Sequence, residues 1–206
     1  MKFRLFAVLA LAVIAACSGH STSEKATPTP GATSIAFGLP TGAKLLSSHD
    51  VVTPHFVGHD LIAASAQSLA DLSGWLTSMS ATPPNGYTAD DPSHLSELKK
   101  RIEPYGIRAA AFVHQVNGQP HGVLVLVFDP ATVREKAGIL VSLASKYRAL
   151  PPMLRDPIDT QIKKQSGMTG TELLAPSNPI GAVIESLDTL KTANERGILI
   201  IDGTKK

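Results

Sequence analysis

Residues 107–128 read Ile-Arg-Ala-Ala-Ala-Phe-Val-His-Gln-Val, then Asn117-Gly118, then Gln-Pro-His-Gly-Val-Leu-Val-Leu-Val-Phe. Two apolar runs around Asn-Gly form the strongest short hairpin signal, because a type I′ turn needs positive φ at both central residues. A two-residue turn sets the register. Val116 then opposes Gln119, His114 opposes His121, Phe112 opposes Val123, Ala110 opposes Val125 and Arg108 opposes Val127. The other face carries Ala109, Ala111, Val113, Leu124 and Leu126. Both faces are apolar, so both need a cover.

Outward from the hairpin, helix starts stand out. Asp91-Pro92, Asp129-Pro130, Asp156-Pro157 and Asn178-Pro179 each place a capping side chain before Pro, whose missing N–H costs nothing in the first turn. Apolar residues follow at helical spacing: Leu95, Leu98 and Ile102; Val133 to Tyr147; Ile158 and Ile162; Ile180 to Leu190. An earlier helix is expected over 68–80, with Leu69, Leu72, Leu76 and Met79 inward. Leu61 to Ala66 and Ile198 to Ile201 complete the strands. The order predicts an α+β domain, an antiparallel sheet of ferredoxin-like (split βαβ) type with additional helices, spanning 36–206. In a plain four-stranded sheet of that kind the face carrying Phe112, Val123 and Val125 is uncovered. It is then an interaction face, unless an extra helix, the 36–54 segment, a second subunit or a ligand lies on it.

The N-terminus reads differently. Met1-Lys2-Phe3-Arg4 is basic, Leu5 to Ile14 is an unbroken apolar run, and Ile14-Ala15-Ala16-Cys17 follows. Ten apolar residues fall short of the roughly 20 that span a bilayer. The pattern is that of a secretory signal, 1–16. It also resembles the bacterial lipobox, in which an aliphatic and two small residues precede a cysteine. That resemblance implies cleavage before Cys17 and lipidation of its thiol. The cofactor expectation is this covalent lipid alone. The membrane is then a partner through the anchor, in the cell envelope facing the periplasm. Ser18, where some inner-membrane lipoproteins carry Asp, favours the outer membrane. Residues 18–34 hold no apolar side chain larger than Ala or Pro, and 17–35 reads as the lipidated cysteine and a flexible tether.

Cys17 is the chain's one cysteine, so no internal disulfide is expected and its lipidation leaves no thiol for catalysis. Removing Lys2 and Arg4 from 19 basic residues leaves 17, equal to the 17 acidic ones. A neutral domain gives no electrostatic reason to expect nucleic acid.

There is no phosphate-binding glycine loop, no Gly-x-Ser-x-Gly and no His-Glu-x-x-His, so no catalytic residue is assigned. Asp202 before Gly203 reads as a turn residue. The seven histidines supply the only clusters. His49, His55 and His59 share parity and would face one way if extended; otherwise they are surface histidines of a polar loop. His114 and His121 oppose each other across the hairpin, where two protonated imidazoles would repel. Either set admits a metal ion. The expectation is a non-enzymatic, lipid-anchored envelope module that binds another envelope protein, itself or a small apolar ligand; the alternative is a periplasmic metal-binding protein or metal-dependent hydrolase.

Overall fold

The structure is a computed structural model describing residues 37–53, 56–167, 169–174, 181, 183–184, 186–187, 190 and 194–205. The leader, Cys17, the 17–35 segment, His55 and the cap at Asn178-Pro179 lie outside these residues.

The chain is α+β, with six antiparallel strands and several helices. In order these are β1 (Lys44–Thr53), β2 (Phe56–Ser65), α1 (Leu69–Ala81), β3 (Tyr87–Ala89), α2 (Pro92–Ile102), a 3-10 turn (Glu103–Tyr105), β4 (Ile107–Val116), β5 (Gln119–Phe128), α3 (Pro130–Ala149), α4 (Pro152–Ser166) and α5 (Gly170–Leu173). Residues 181, 183–184 and 186–187 are helical, and β6 (Arg196–Lys205) closes the series. No helix among the described residues is long and apolar enough to cross a membrane.

The caps act as their chemistry requires. Asp91 Oδ1 accepts from Ser93 N–H at 2.8 Å to open α2, and Asp129 Oδ1 accepts from Ala131 N–H at 3.2 Å to open α3. Ser68 and Asp71 form a reciprocal capping box on α1. The start expected at Asp156-Pro157 is a correction: α4 opens earlier, with Pro151 as its cap and Pro157 inside it. Pro152 already supplies the first-turn proline. Arg155 fastens this end by donating to the Leu150 and Arg148 carbonyls at 2.7 Å each.

Strands are ordered β1-β2-β6-β5-β4-β3, and every neighbouring pair is antiparallel. This order differs from the ferredoxin-like one. A split βαβ unit keeps its two strands parallel with one strand between them. Here β2 and β4 run antiparallel and are separated by both β6 and β5. The reason lies in β6. Ile198, Leu199 and Ile200 are all fully buried, so β6 is apolar on both faces and belongs in the centre, not at the edge.

Each face has its own core. On one, Ile62, Leu124, Leu126, Phe128 and Leu199 pack with Leu95, Leu98 and Ile102 of α2, Val133 of α3, Leu187 and Leu190. On the other, Phe112, Val123, Val125, Ile198 and Ile200 pack beneath Leu72, Leu76 and Met79 of α1 and against Phe37. The expected interaction face is therefore covered from within: Phe112, Val123 and Val125 are buried at 1%, 2% and 0% exposure. Part of the 36–54 segment, one of the covers named from sequence, does this together with α1, the helix already expected over 68–80.

Candidate functional site

The hairpin turn positions the first two side chains. Asn117 and Gly118 adopt φ of 51° and 76°, the double positive φ of a type I′ turn. The pairing that follows places His114 against His121. Their rings meet edge to face with centroids 5.5 Å apart. His114 lies on the same face as Phe112, and His121 on the same face as Val123, by strand alternation.

β6 brings the third. It does not end at a turn after Ile201 but continues to Lys205, with Asp202 paired to Val123 on one side and His59 on the other. The turn reading of Asp202 is thus corrected. Its carboxylate shares a face with Ile198 and Ile200 and reaches diagonally across β5. His114 Nε2 donates to Asp202 Oδ1 at 2.9 Å and to Oδ2 at 3.1 Å, and His121 Nδ1 lies 3.4 Å from Oδ1. The expected repulsion between protonated imidazoles therefore meets a counter-charge placed between them.

The cluster sits beneath aromatic rings. Tyr87 of β3 stacks on His114 at 4.7 Å, and Phe37 sets its edge against both Tyr87 and Phe112. His114 and Asp202 are buried, and the His121 side chain is 13% exposed. Burial, followed by the negative charge of Asp202, pushes the Tyr87 hydroxyl above its usual pKa. A charge that reaches this phenol is poorly screened by water.

The other candidate set is split. His49 pairs with Asp60, and Asp50 pairs with His59. Directly opposed residues share a face, so His49 and His59 point to opposite faces of the sheet. The shared imidazole face expected for His49, His55 and His59 does not form among the described residues. Equal parity suggested it, but His49 and His59 lie on two paired strands, not one. The His49 backbone N–H donates to Oδ1 of buried Asp60 at 3.1 Å, and the His49 ring Nδ1 lies 3.3 Å from the same oxygen. Burial raises Asp60 from 3.8 to about 6, against the opposing pull of His49 and then His59. His59 lies on the face of Asp202.

Among the described residues, His114, His121 and Asp202 form the one group of such side chains able to close on a metal ion, with ligand atoms all within 4.8 Å of one another. Two imidazoles and a carboxylate suit a borderline divalent ion. Bonds of about 2.0–2.1 Å in tetrahedral array set donors roughly 3.3–3.4 Å apart. The His121–Asp202 separation of 3.4 Å already fits. The His114–Asp202 contact of 2.9 Å would open by a few tenths of an ångström as His114 Nε2 exchanges its proton for the ion. Three protein donors leave one position for water or a ligand, the pattern of an open zinc site. No protein-family model, curated protein or solved structure matches this chain.

Proposed function

We propose that this is a lipid-anchored domain of the bacterial cell envelope that binds a zinc-like divalent ion through His114, His121 and Asp202. The observation that carries the metal reading is the convergence of three donors from three adjacent strands at one mostly buried point. Burial favours the ion. Each donor has little water to lose, and the carboxylate charge needs a cation more than it would in solvent. Without metal the same groups satisfy one another through the His114–Asp202 hydrogen bonds, so the fold does not depend on the ion.

The anchor reading rests on the leader, Met1 to Cys17. A single acyl chain holds a protein only marginally, so the diacyl or triacyl form that the lipobox implies is what makes a durable anchor. The neutral charge of the remaining chain fits attachment through lipid, not through anionic headgroups.

Elemental analysis of the untagged full-length chain tests the metal reading, with about one ion per chain expected for a single site. His121→Ala and Asp202→Asn should abolish it, and chelator should lower the melting temperature of the wild type but not of either variant. A metal-free wild type that also fails to bind added zinc refutes the reading. The anchor has its own test. Metabolic labelling with palmitate should mark the wild type and spare Cys17→Ser; label that persists in the variant overturns it.

A further inference from the structure

A second arrangement lies on the same sheet face, on β1 and β2, and shares no residue with the proposed metal centre. In the β1–β2 register Asp50 is opposite His59 and Ser48 is opposite Leu61. Ser48 and Asp50 are two apart on β1 and point the same way, with His59 between them from the facing strand. The imidazole touches both. His59 Nδ1 lies 3.2 Å from Asp50 Oδ1, and Ser48 Oγ is hydrogen-bonded to His59 Nε2.

We propose that Ser48, His59 and Asp50 form a nucleophilic triad that hydrolyses small carboxylic esters presented from solvent. The chemistry follows from which nitrogen faces which group. Asp50 accepts a proton-bearing Nδ1, which leaves Nε2 as an acceptor aimed at the Ser48 hydroxyl. This is the order of nucleophile, base and positioning acid by which such triads are recognised, whatever the chain order. Ser48 is exposed and His59 half-buried, so the hydroxyl is open to an acyl group. Among the described residues β1 is an edge strand with a partner on one side only. Backbone N–H groups on its outer side have no described strand to pair with, and in the proposed reaction they stabilise the oxyanion.

The reaction balances without a co-reactant other than water. Ser48 Oγ bonds to the ester carbonyl carbon as its proton passes to His59 Nε2. The tetrahedral intermediate collapses, the carbon–alkoxy bond breaks, and the leaving alkoxide takes that proton. Water then attacks the acyl-serine, giving a proton to His59. Ser48 leaves with that proton, and the acid is released.

The test uses the full-length chain with p-nitrophenyl acetate as substrate and a fluorophosphonate as label, with and without chelator. Wild type should label at Ser48 and hydrolyse the ester equally well in both conditions. Ser48→Ala should lose both signals, and His59→Gln should lose about a hundredfold in rate, the usual share of a general base. Asp50→Asn should lower kcat by roughly tenfold or more at unchanged KM, the mark of a residue that positions the base. Circular dichroism of each variant separates lost chemistry from lost fold. Hydrolysis that survives Ser48→Ala identifies a free imidazole as the agent and overturns the triad. Hydrolysis that vanishes with chelator or with His121→Ala assigns it to the metal centre, and also overturns the triad. No label and no hydrolysis by folded wild type do the same.

Discussion

Asp60 offers a sharp test of how burial and charge balance in this sheet. It is fully buried on the face covered by α2 and α3, and its Oδ1 accepts the His49 backbone N–H. Burial lifts its pKa from 3.8 to about 6. The folded state therefore holds this proton more tightly than the unfolded chain. A raised folded pKa contributes stability that is fully present below 3.8 and is lost as pH rises through about 6. At 1.36 kcal/mol per pH unit, the loss between about pH 4 and about pH 8 is roughly 2–3 kcal/mol. Asp60→Asn keeps an acceptor for the His49 amide and removes the titration. Urea unfolding of both proteins across that range should show the variant gaining on the wild type by this amount, with most of the gain falling between about pH 4 and about pH 6. A stability difference that stays flat with pH would refute the assignment of a buried, neutralisable carboxyl to Asp60.

Three further outcomes follow from packing and geometry. Ile200→Ala empties a fully buried position in the central strand and should cost about 2–5 kcal/mol by denaturant unfolding. Gly58→Ala would place a Cβ 2.0 Å from the Asp202 carbonyl oxygen and 2.6 Å from Gly203 Cα. Because both obstacles are backbone, β2 and β6 must part. The expected cost is roughly 1–3 kcal/mol, with weaker zinc binding in a titration because Asp202 moves. Asp91→Ala removes the cap from α2 and should cost about 1 kcal/mol in thermal unfolding.

Sequence made some of this legible because local chemistry alone decides it. Asn117-Gly118 dictates the hairpin register, and with it the His114–His121 contact. Asp91 and Asp129 mark helix starts by capping. What stayed hidden depends on partners far along the chain. β1, with Ser47, Ser48, His49 and Asp50 in its middle, has no apolar alternation and becomes a strand by pairing with β2. Asp202 before Gly203 carries local turn chemistry. Only the pairing of β6 with both β2 and β5 extends the strand through it and turns a surface acid into a buried one. Ile198 to Ile201 is apolar on both faces, which fits a central strand, but the strand order itself depends on pairing with β2 and β5. The Ser48–His59–Asp50 contacts need the β1–β2 register, which Pro54 and Gly58 conceal from a reading by parity.

The central place of β6 also shapes how the molecule is made. β1 with β2, and β4 with β5, are hairpins that can close early because their contacts are local. β6 joins them only after the helical segment from Pro130 onward, so Phe56–Ser65 waits for a partner at Arg196–Lys205. Such long-range pairing is slow, and until it happens each hairpin shows an open edge. The two histidines are assembled in the first stage and the aspartate arrives in the last. Under the proposed metal reading, zinc affinity measured during refolding should rise with the final step, so the ion would report the kinetics of strand insertion.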